Sequence, residues 1–235
     1  MYKTKKNASG EVERYKARLV VKGYKQKHGV DYGEVYAPVA RMDTIRLLIS
    51  LAAQMKWKIY QLDVKSAFLN GYLEEVYIEQ PSGFVVEGHE DKVLKLKRAL
   101  YGLKQAPRAW NSHIDKYFQD NGFVRCLNEY ALYIKTFDNK DTLIVCLYVD
   151  DLIFIGSNPS LFEEFKKAMS YEFEMTNLGL MSYYLGLKVK QLEESIFISQ
   201  GCYAKEVLKK FKMFDCNPVN TLMESGMKLS KFEDG

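Results

Sequence analysis

Cysteine, histidine, proline and tryptophan are all scarce in this chain: four, three, five and two among 235 residues. Cys126, Cys146, Cys202 and Cys216 form no C-x-x-C pair, so they read as reduced core residues of an intracellular protein, not as a disulfide framework. His28, His89 and His113 are scattered, and no zinc site is expected. No stretch approaches the roughly 20 consecutive apolar residues of a membrane span. The opening Met1-Tyr2-Lys3-Thr4-Lys5-Lys6 has no apolar core behind it, so neither a membrane segment nor a signal peptide is expected. Internal repeats and low-complexity segments are lacking too.

What the chain does have is apolar and aromatic side chains. Hydrophobic residues make up 47% and aromatics 14%, far richer than a disordered tail and enough for one sizeable core or two small subdomains. The net charge of +4 is unevenly spread. Residues 1–30 hold nine Lys or Arg against Glu11 and Glu13, a surplus of seven, which leaves −3 for the remainder. A second run, Lys92 to Arg108, has six basic residues and no acid. Localised positive charge suits a polyanion, but on charge alone a solvated face is the better reading.

Strand and helix signals alternate along the chain. Asn7-Ala8-Ser9-Gly10 reads as a turn, followed by a strand over Tyr15 to Lys22 with Ala17, Leu19 and Val21 on one face, so residues 1–22 predict a basic hairpin. Helices are expected over Asp43 to Met55 (with Asp43 as N-cap), Ala106 to Asn121, Pro159 to Phe173 (capped by Ser157) and Cys202 to Phe211. Strands are expected over Trp57 to Val64, Val76 to Ile78, Val93 to Leu96, Ala131 to Phe137 and Thr142 to Val149, the last continuing through Leu152 to Ile155. Tyr183 to Lys190 and Ser195 to Ser199 suggest a late hairpin around Glu193-Glu194. Strands in hairpins as well as singly do not fit a doubly wound sheet, so the fold class is α+β.

Three segments carry chemistry. Asp150 and Asp151 stand side by side in the apolar run from Leu143 to Ile155. Burying unpaired charge is costly, and two like charges make it worse. Either the pair is exposed at a hairpin tip, or a hard cation such as Mg²⁺ or Mn²⁺ offsets it; the segment alone leaves both open. Asp63 ends an apolar strand, which suits an ordinary turn cap or a third carboxylate beside Asp150. Two divalent ions about 3.5–4 Å apart on such carboxylates can clamp the attacking and leaving oxygens of a phosphoryl transfer. In the third segment, Ala99 to Trp110, Gly102 permits close backbone approach, and Lys104 and Arg108 stand where a helix N-terminus could meet phosphate. On that segment alone, a basic helix start with Trp110 in the core is the better reading.

Tyr148-Val149-Asp150-Asp151 resembles the Tyr-X-Asp-Asp box of reverse transcriptases. Gln61 to Gly71 (QLDVKSAFLNG) resembles a first catalytic-aspartate box, and Leu100 to Trp110 (LYGLKQAPRAW) a middle box. Lys16 to Gly23 with Tyr36-Ala37-Pro38-Val39, and Tyr184-Leu185-Gly186-Leu187, complete a set in family order over roughly residues 10–220. On these residues the chain resembles the reverse transcriptase of copia-type (Pseudoviridae) LTR retrotransposons, as a fragment of a Pol polyprotein.

The resemblance implies a right-hand polymerase. Fingers would cover 1–56, palm 57–200 with a fingers insertion around 71–105, and thumb or connection would begin in 201–235. The palm sheet would be antiparallel and backed by helices. It implies catalytic Asp63, Asp150 and Asp151, and two Mg²⁺ (or Mn²⁺) ions held by these and the Val64 carbonyl. Lys16, Arg18, Phe68, Tyr101 and Gln105 would meet the nucleotide, Phe68 excluding a 2′-hydroxyl. Lys104, Arg108, Tyr148, Tyr184 and Gly186 would contact nucleic acid. Implied partners are an RNA or DNA template with primer and dNTPs, with no membrane. RNase H and integrase regions of the parent polyprotein would lie elsewhere, and the location would be cytoplasmic, in a virus-like particle. Family members carry more fingers sequence ahead of Tyr2 and continue past Gly235. The alternative expectation is therefore a truncated, catalytically inactive nucleic-acid-binding remnant. A different metal-dependent nucleotidyl transferase on the same scaffold fits the basic hairpin less well.

Overall fold

Most strands of this protein pair antiparallel, as a chain with so many turn-separated apolar runs should. The computed structural model describes residues 1–6 and 11–218. In chain order the strands and helices are β1 (Tyr2–Lys6), β2 (Val12–Ala17), α1 (Met42–Met55), β3 (Tyr60–Val64), β4 (Tyr72–Glu79), β5 (Val93–Arg98), α2 (Ala106–Asp120), β6 (Val124–Arg125), β7 (Leu132–Thr136), β8 (Thr142–Tyr148), β9 (Asp151–Gly156), α3 (Ser160–Glu172), β10 (Met175–Leu180), β11 (Tyr183–Tyr184), β12 (Leu187–Gln191), β13 (Ile196–Ser199) and α4 (Gly201–Lys210). Single turns of 3-10 helix cover Gly23–Lys25 and Ala67–Asn70. The chain forms two units: Met1–Met181 with Gln191–Ile196, and Ser182–Lys190 with Phe197–Gly235. Among the described residues no helix is long and apolar enough to cross a membrane.

The first unit is built on a six-stranded antiparallel sheet in the order β10-β3-β9-β8-β7-β6. Period-two alternation sends Leu143, Val145 and Leu147 of β8, with Leu152 and Phe154 of β9, into one core with Trp110, Ile114 and Phe118 of α2 and Phe162, Phe165 and Met169 of α3. Each large side chain so removed from water contributes about 1.5–3 kcal/mol. The intervening Ile144, Cys146, Ile153 and Ile155 are buried as well, which explains why β8 and β9 read as continuous apolar runs. The hairpins β1–β2 and β4–β5 stand as separate two-stranded sheets.

At the start of α1, burial alone would push Glu129 up. Hydrogen bonds from Thr44, Arg41 and the Ala131 backbone hold it below its ordinary value instead. The carboxylate thereby ties the helix start to the loop before β7.

Several expectations need correction. Leu152 to Ile155 does not continue β8: the chain reverses at Val149-Asp150, and β9 pairs antiparallel with β8. The strand expected over Tyr15 to Lys22 ends at Ala17, leaving Leu19 and Val20 exposed, and beyond Arg18 the chain leaves the hairpin so that the Val21 N–H donates to Tyr101 O in the segment before α2. Asp43 lies inside the first turn of α1, whose cap is Arg41. Ser157 does not cap α3; Asn158 Oδ1 accepts from the Ser160 N–H, while the Ser157 hydroxyl donates to Asp141. Tyr183 to Lys190 is split by a turn at Leu185-Gly186, both residues with positive φ. Only Cys146 of the four cysteines is buried; Cys202 and Cys216 are exposed. Strands β6 and β10 went unforeseen. The expected turn Asn7 to Gly10, and the chain beyond Pro218, lie outside the described residues.

Candidate active site

The site grows out of the β8–β9 turn. Tyr148 faces Asp151 across the hairpin, which leaves Val149 and Asp150 as its two-residue loop. Val149 sits at φ 58°, a left-handed conformation that a β-branched residue adopts rarely and at a cost of about 1–3 kcal/mol. Both loop carbonyls are held. The indole Nε1 of Trp110 donates to Val149 O at 2.6 Å, and the Val64 N–H donates to Asp150 O at 2.8 Å. Strand β3 lies beside β9 in a register that sets Asp63 opposite Asp151. Asp150 and Asp151 thus stand at the turn of a hairpin, as the simpler reading expected, with Asp63 opposite Asp151 on the neighbouring strand.

Asp151 is half-buried, and its carboxyl lies above the ordinary range. Burial raises it most, the Gln61 amide donating to Oδ1 at 3.1 Å opposes the rise, and the Asp150 and Asp63 charges add to it. Among the described residues Asp150 and Asp151 form no ion pair. The donors here are carboxylate and carbonyl oxygens, the set that hard divalent cations take. Among the described residues no group of three or more His, Cys, Asp or Glu side chains is disposed to hold a metal ion. Asp63 and Asp151 are register neighbours at one end of the sheet, with Asp150 in the adjacent turn.

Beside them, the 3-10 turn Ala67–Asn70 carries Phe68, whose ring centroid lies 5.2 Å from that of Tyr101. The Arg18 guanidinium sits 4.6 Å over the Tyr101 ring. Burial pushes the Tyr101 hydroxyl up; Arg18 pulls it down, and Asp150 and Asp63 push it up further, so Tyr101 feels both the cation and the carboxylates. Gly102 does permit a close approach, and what approaches is the chain's own backbone. Val21 N–H donates to Tyr101 O at 2.8 Å, and a Cβ on Gly102 (φ 96°) would stand 2.1 Å from Val21 O.

The remaining expected residues fall into four groups. Gln105, Lys104 and Arg108 turn their polar groups onto residues 26–36. Gln105 accepts from Gln26 and donates to Asp31 O, Lys104 Nζ donates to the Tyr32 hydroxyl, and Arg108 donates to Tyr36 O. Lys16 lies in β2 opposite Lys3. Tyr148 is half-buried at the end of β8. Tyr184 and Gly186 belong to the second unit, where Tyr184 is buried and pairs with Leu187 around the turn containing Gly186 (φ 86°).

Sequence reasoning passed over Gln61 and the Trp110 N–H. Gln61 was findable, since it shares a strand face with Asp63 by two-residue alternation and is a polar residue in an apolar strand.

The reverse transcriptase (RNA-dependent DNA polymerase) family profile matches residues 1–225. The chain is 41% identical over 234 residues to the "Retrovirus-related Pol polyprotein from transposon TNT 1-94" of Nicotiana tabacum, covering 98% of this chain and 18% of that protein. It is 37% identical over 233 residues to the "Retrovirus-related Pol polyprotein from transposon RE1" of Arabidopsis thaliana, covering 99% and 16%. To the "Transposon Ty1-DR4 Gag-Pol polyprotein" of Saccharomyces cerevisiae it is 32% identical over 192 residues, covering 75% and 11%. The chain thus spans less than a fifth of the length of each of these relatives. No solved structure matches it. A profile match over nearly the whole chain, together with the order of its boxes, shows that the chain belongs to the reverse transcriptase family, in the copia-type retrotransposon group.

Proposed function

We propose that this chain is the polymerase core of a retrotransposon Pol polyprotein, an RNA-directed DNA polymerase that extends a primer 3′-hydroxyl with dNTPs on an RNA or DNA template. The pairing of Asp63 with Asp151 across β3 and β9, with Asp150 in the adjacent turn, carries this reading. In right-hand terms, residues 1–56 are fingers, 57–200 palm with an insertion around 71–105, and 201–235 the start of thumb or connection. RNase H and integrase regions would belong to other parts of the parent polyprotein.

Asp63 and Asp150, with the Val64 carbonyl and Asp151, are the residues suited to hold a pair of Mg²⁺ or Mn²⁺ ions. Bound there, such ions supply activation of the primer hydroxyl and neutralise charge on the departing pyrophosphate. The chain's own side chains bind and orient. Phe68 and Tyr101, in contact with each other, with Tyr101 in the field of Asp150 and Asp63, form the floor on which the incoming sugar and base rest. Phe68 there rejects a 2′-hydroxyl. Arg18, stacked on Tyr101, and Lys16 on the same hairpin meet the triphosphate.

Primer extension on an RNA template with an annealed DNA primer, in Mg²⁺ and then Mn²⁺, tests the reading against Asp150→Asn. Extension that falls by roughly a hundredfold or more in the variant is expected. Absence of extension by the parent chain, or full activity of the variant, would sink it.

A further inference from the structure

The middle box does more than begin a helix. We propose that Trp110 is a positioning residue for this site: its indole N–H fixes the Val149 carbonyl and so sets the turn from which Asp150 projects. The inference rests on the proposed polymerase reading for its kinetic arm only.

Val149 is β-branched and left-handed, so the loop needs an external hold to persist in this shape. Trp110 is 1% exposed, and a buried indole N–H needs an acceptor. The acceptor it takes is the carbonyl of the strained residue, at a short 2.6 Å. With Val64 holding the next carbonyl, two consecutive peptide units of the turn are anchored, one from α2 and one from β3. The indole in turn has little freedom, because it packs edge-on against Phe173 with ring centroids 5.3 Å apart. The backbone of α2 is equally confined: a Cβ on Gly71 would stand 2.6 Å from Trp110 N. One turn further along α2, His113 Nδ1 lies 2.9 Å from Asn70 O, at the end of the 3-10 turn that carries Phe68. One stretch of α2 therefore holds both the Asp150 turn and the Phe68 turn, which fixes their mutual placement. A Trp110 that merely filled the core would explain the packing but not the choice of Val149 as acceptor.

The test is Trp110→Phe, which keeps most of the ring volume and deletes the N–H, alone and combined with Val149→Gly. Glycine adopts φ 58° without strain, so the turn no longer needs its hold. In the 235-residue chain, Trp110→Phe is expected to lower kcat for primer extension by roughly tenfold to a hundredfold. The KM for dNTP should stay within about twofold, because ground-state binding is untouched. Adding Val149→Gly is expected to restore kcat to within about threefold of the parent. A packing role predicts a lower thermal midpoint with no rescue. An activity-independent arm follows the backbone amide resonances of Asp150 and Asp151 in ¹⁵N-labelled protein. They should shift or broaden in Trp110→Phe and return in the double variant. Unmoved resonances, unchanged kcat or failure of rescue would overturn the inference. If the parent chain extends no primer, the polymerase reading fails, and the resonances alone decide the role of Trp110.

Discussion

Burial and two neighbouring carboxylates hold Asp151 protonated to higher pH than a free aspartate. A carboxyl raised in the folded state favours folding fully only below its unfolded value, 3.8, and that contribution is lost as pH rises through the folded value. At neutral pH, without a cation, Asp151 therefore works against the fold. Asp151→Asn keeps an oxygen for Gln61 and removes the charge, so it should raise the thermal midpoint at pH 7 by about 2 °C or more. The gain should shrink toward zero as the pH is lowered to about 3, where the parent carboxyl is itself neutral. Thermal melts at both pH values check this, and a gain of equal size at each would show that charge is not its source. Phe68 is open to a comparable single-residue test. If its ring excludes the 2′-hydroxyl, Phe68→Ala should lower discrimination between dNTP and rNTP, measured as a ratio of kcat/KM, by roughly tenfold or more. An unchanged ratio would leave Phe68 only its contact with Tyr101.

At the scale of elements, the sequence was most legible where pattern and environment agree. The buried faces of α1, α2 and α3 follow from spacing alone: Ile45, Leu48, Ile49 and Ala52; Trp110, Ile114 and Phe118; Phe162, Phe165 and Met169. Legibility failed where both faces of an element are buried. Continuous apolar runs on either side of Asp150-Asp151 hide the reversal between β8 and β9, and no Gly marks the turn because Val149 takes the left-handed position under external restraint. It failed again where the partner is remote in sequence. Strand β10 carries Gly179 at positive φ beside a register shift, so it shows no alternation, and it exists because β3, more than a hundred residues earlier, offers an edge. The carboxylates of the candidate site were readable as a type, two in a hydrophobic run and one at a strand end. Their registration, Asp63 opposite Asp151, is a property of the sheet order and lies beyond any local pattern. Lys104, Gln105 and Arg108 teach the converse: a basic helix start that suggests phosphate spends these side chains on residues 26–36 of its own chain.

Across the whole molecule, positive charge gathers in the first 30 residues while the remainder sums to −3, with the carboxylates of the candidate site on the acidic side of that division. Within β1 and β2 the register sets Lys3 directly opposite Lys16, which gathers positive charge on the hairpin. Two anions are at hand in the proposed reaction, the dNTP triphosphate and the nucleic-acid backbone, and they leave different thermodynamic traces. A nucleic-acid contact releases condensed counterions, so each lost cation flattens the slope of log K against log salt by about 0.9 for duplex. A triphosphate contact changes KM for dNTP instead. The proposed reading predicts that Lys16→Ala with Arg18→Ala raises KM for dNTP by roughly tenfold and leaves the salt slope of primer–template binding unchanged within about 0.5. A slope reduced by about 1.8 with KM intact would assign both residues to the nucleic-acid backbone, and the hairpin would then be a template grip. No change in either quantity would remove both side chains from the nucleotide site and leave Arg18 only its stacking on Tyr101.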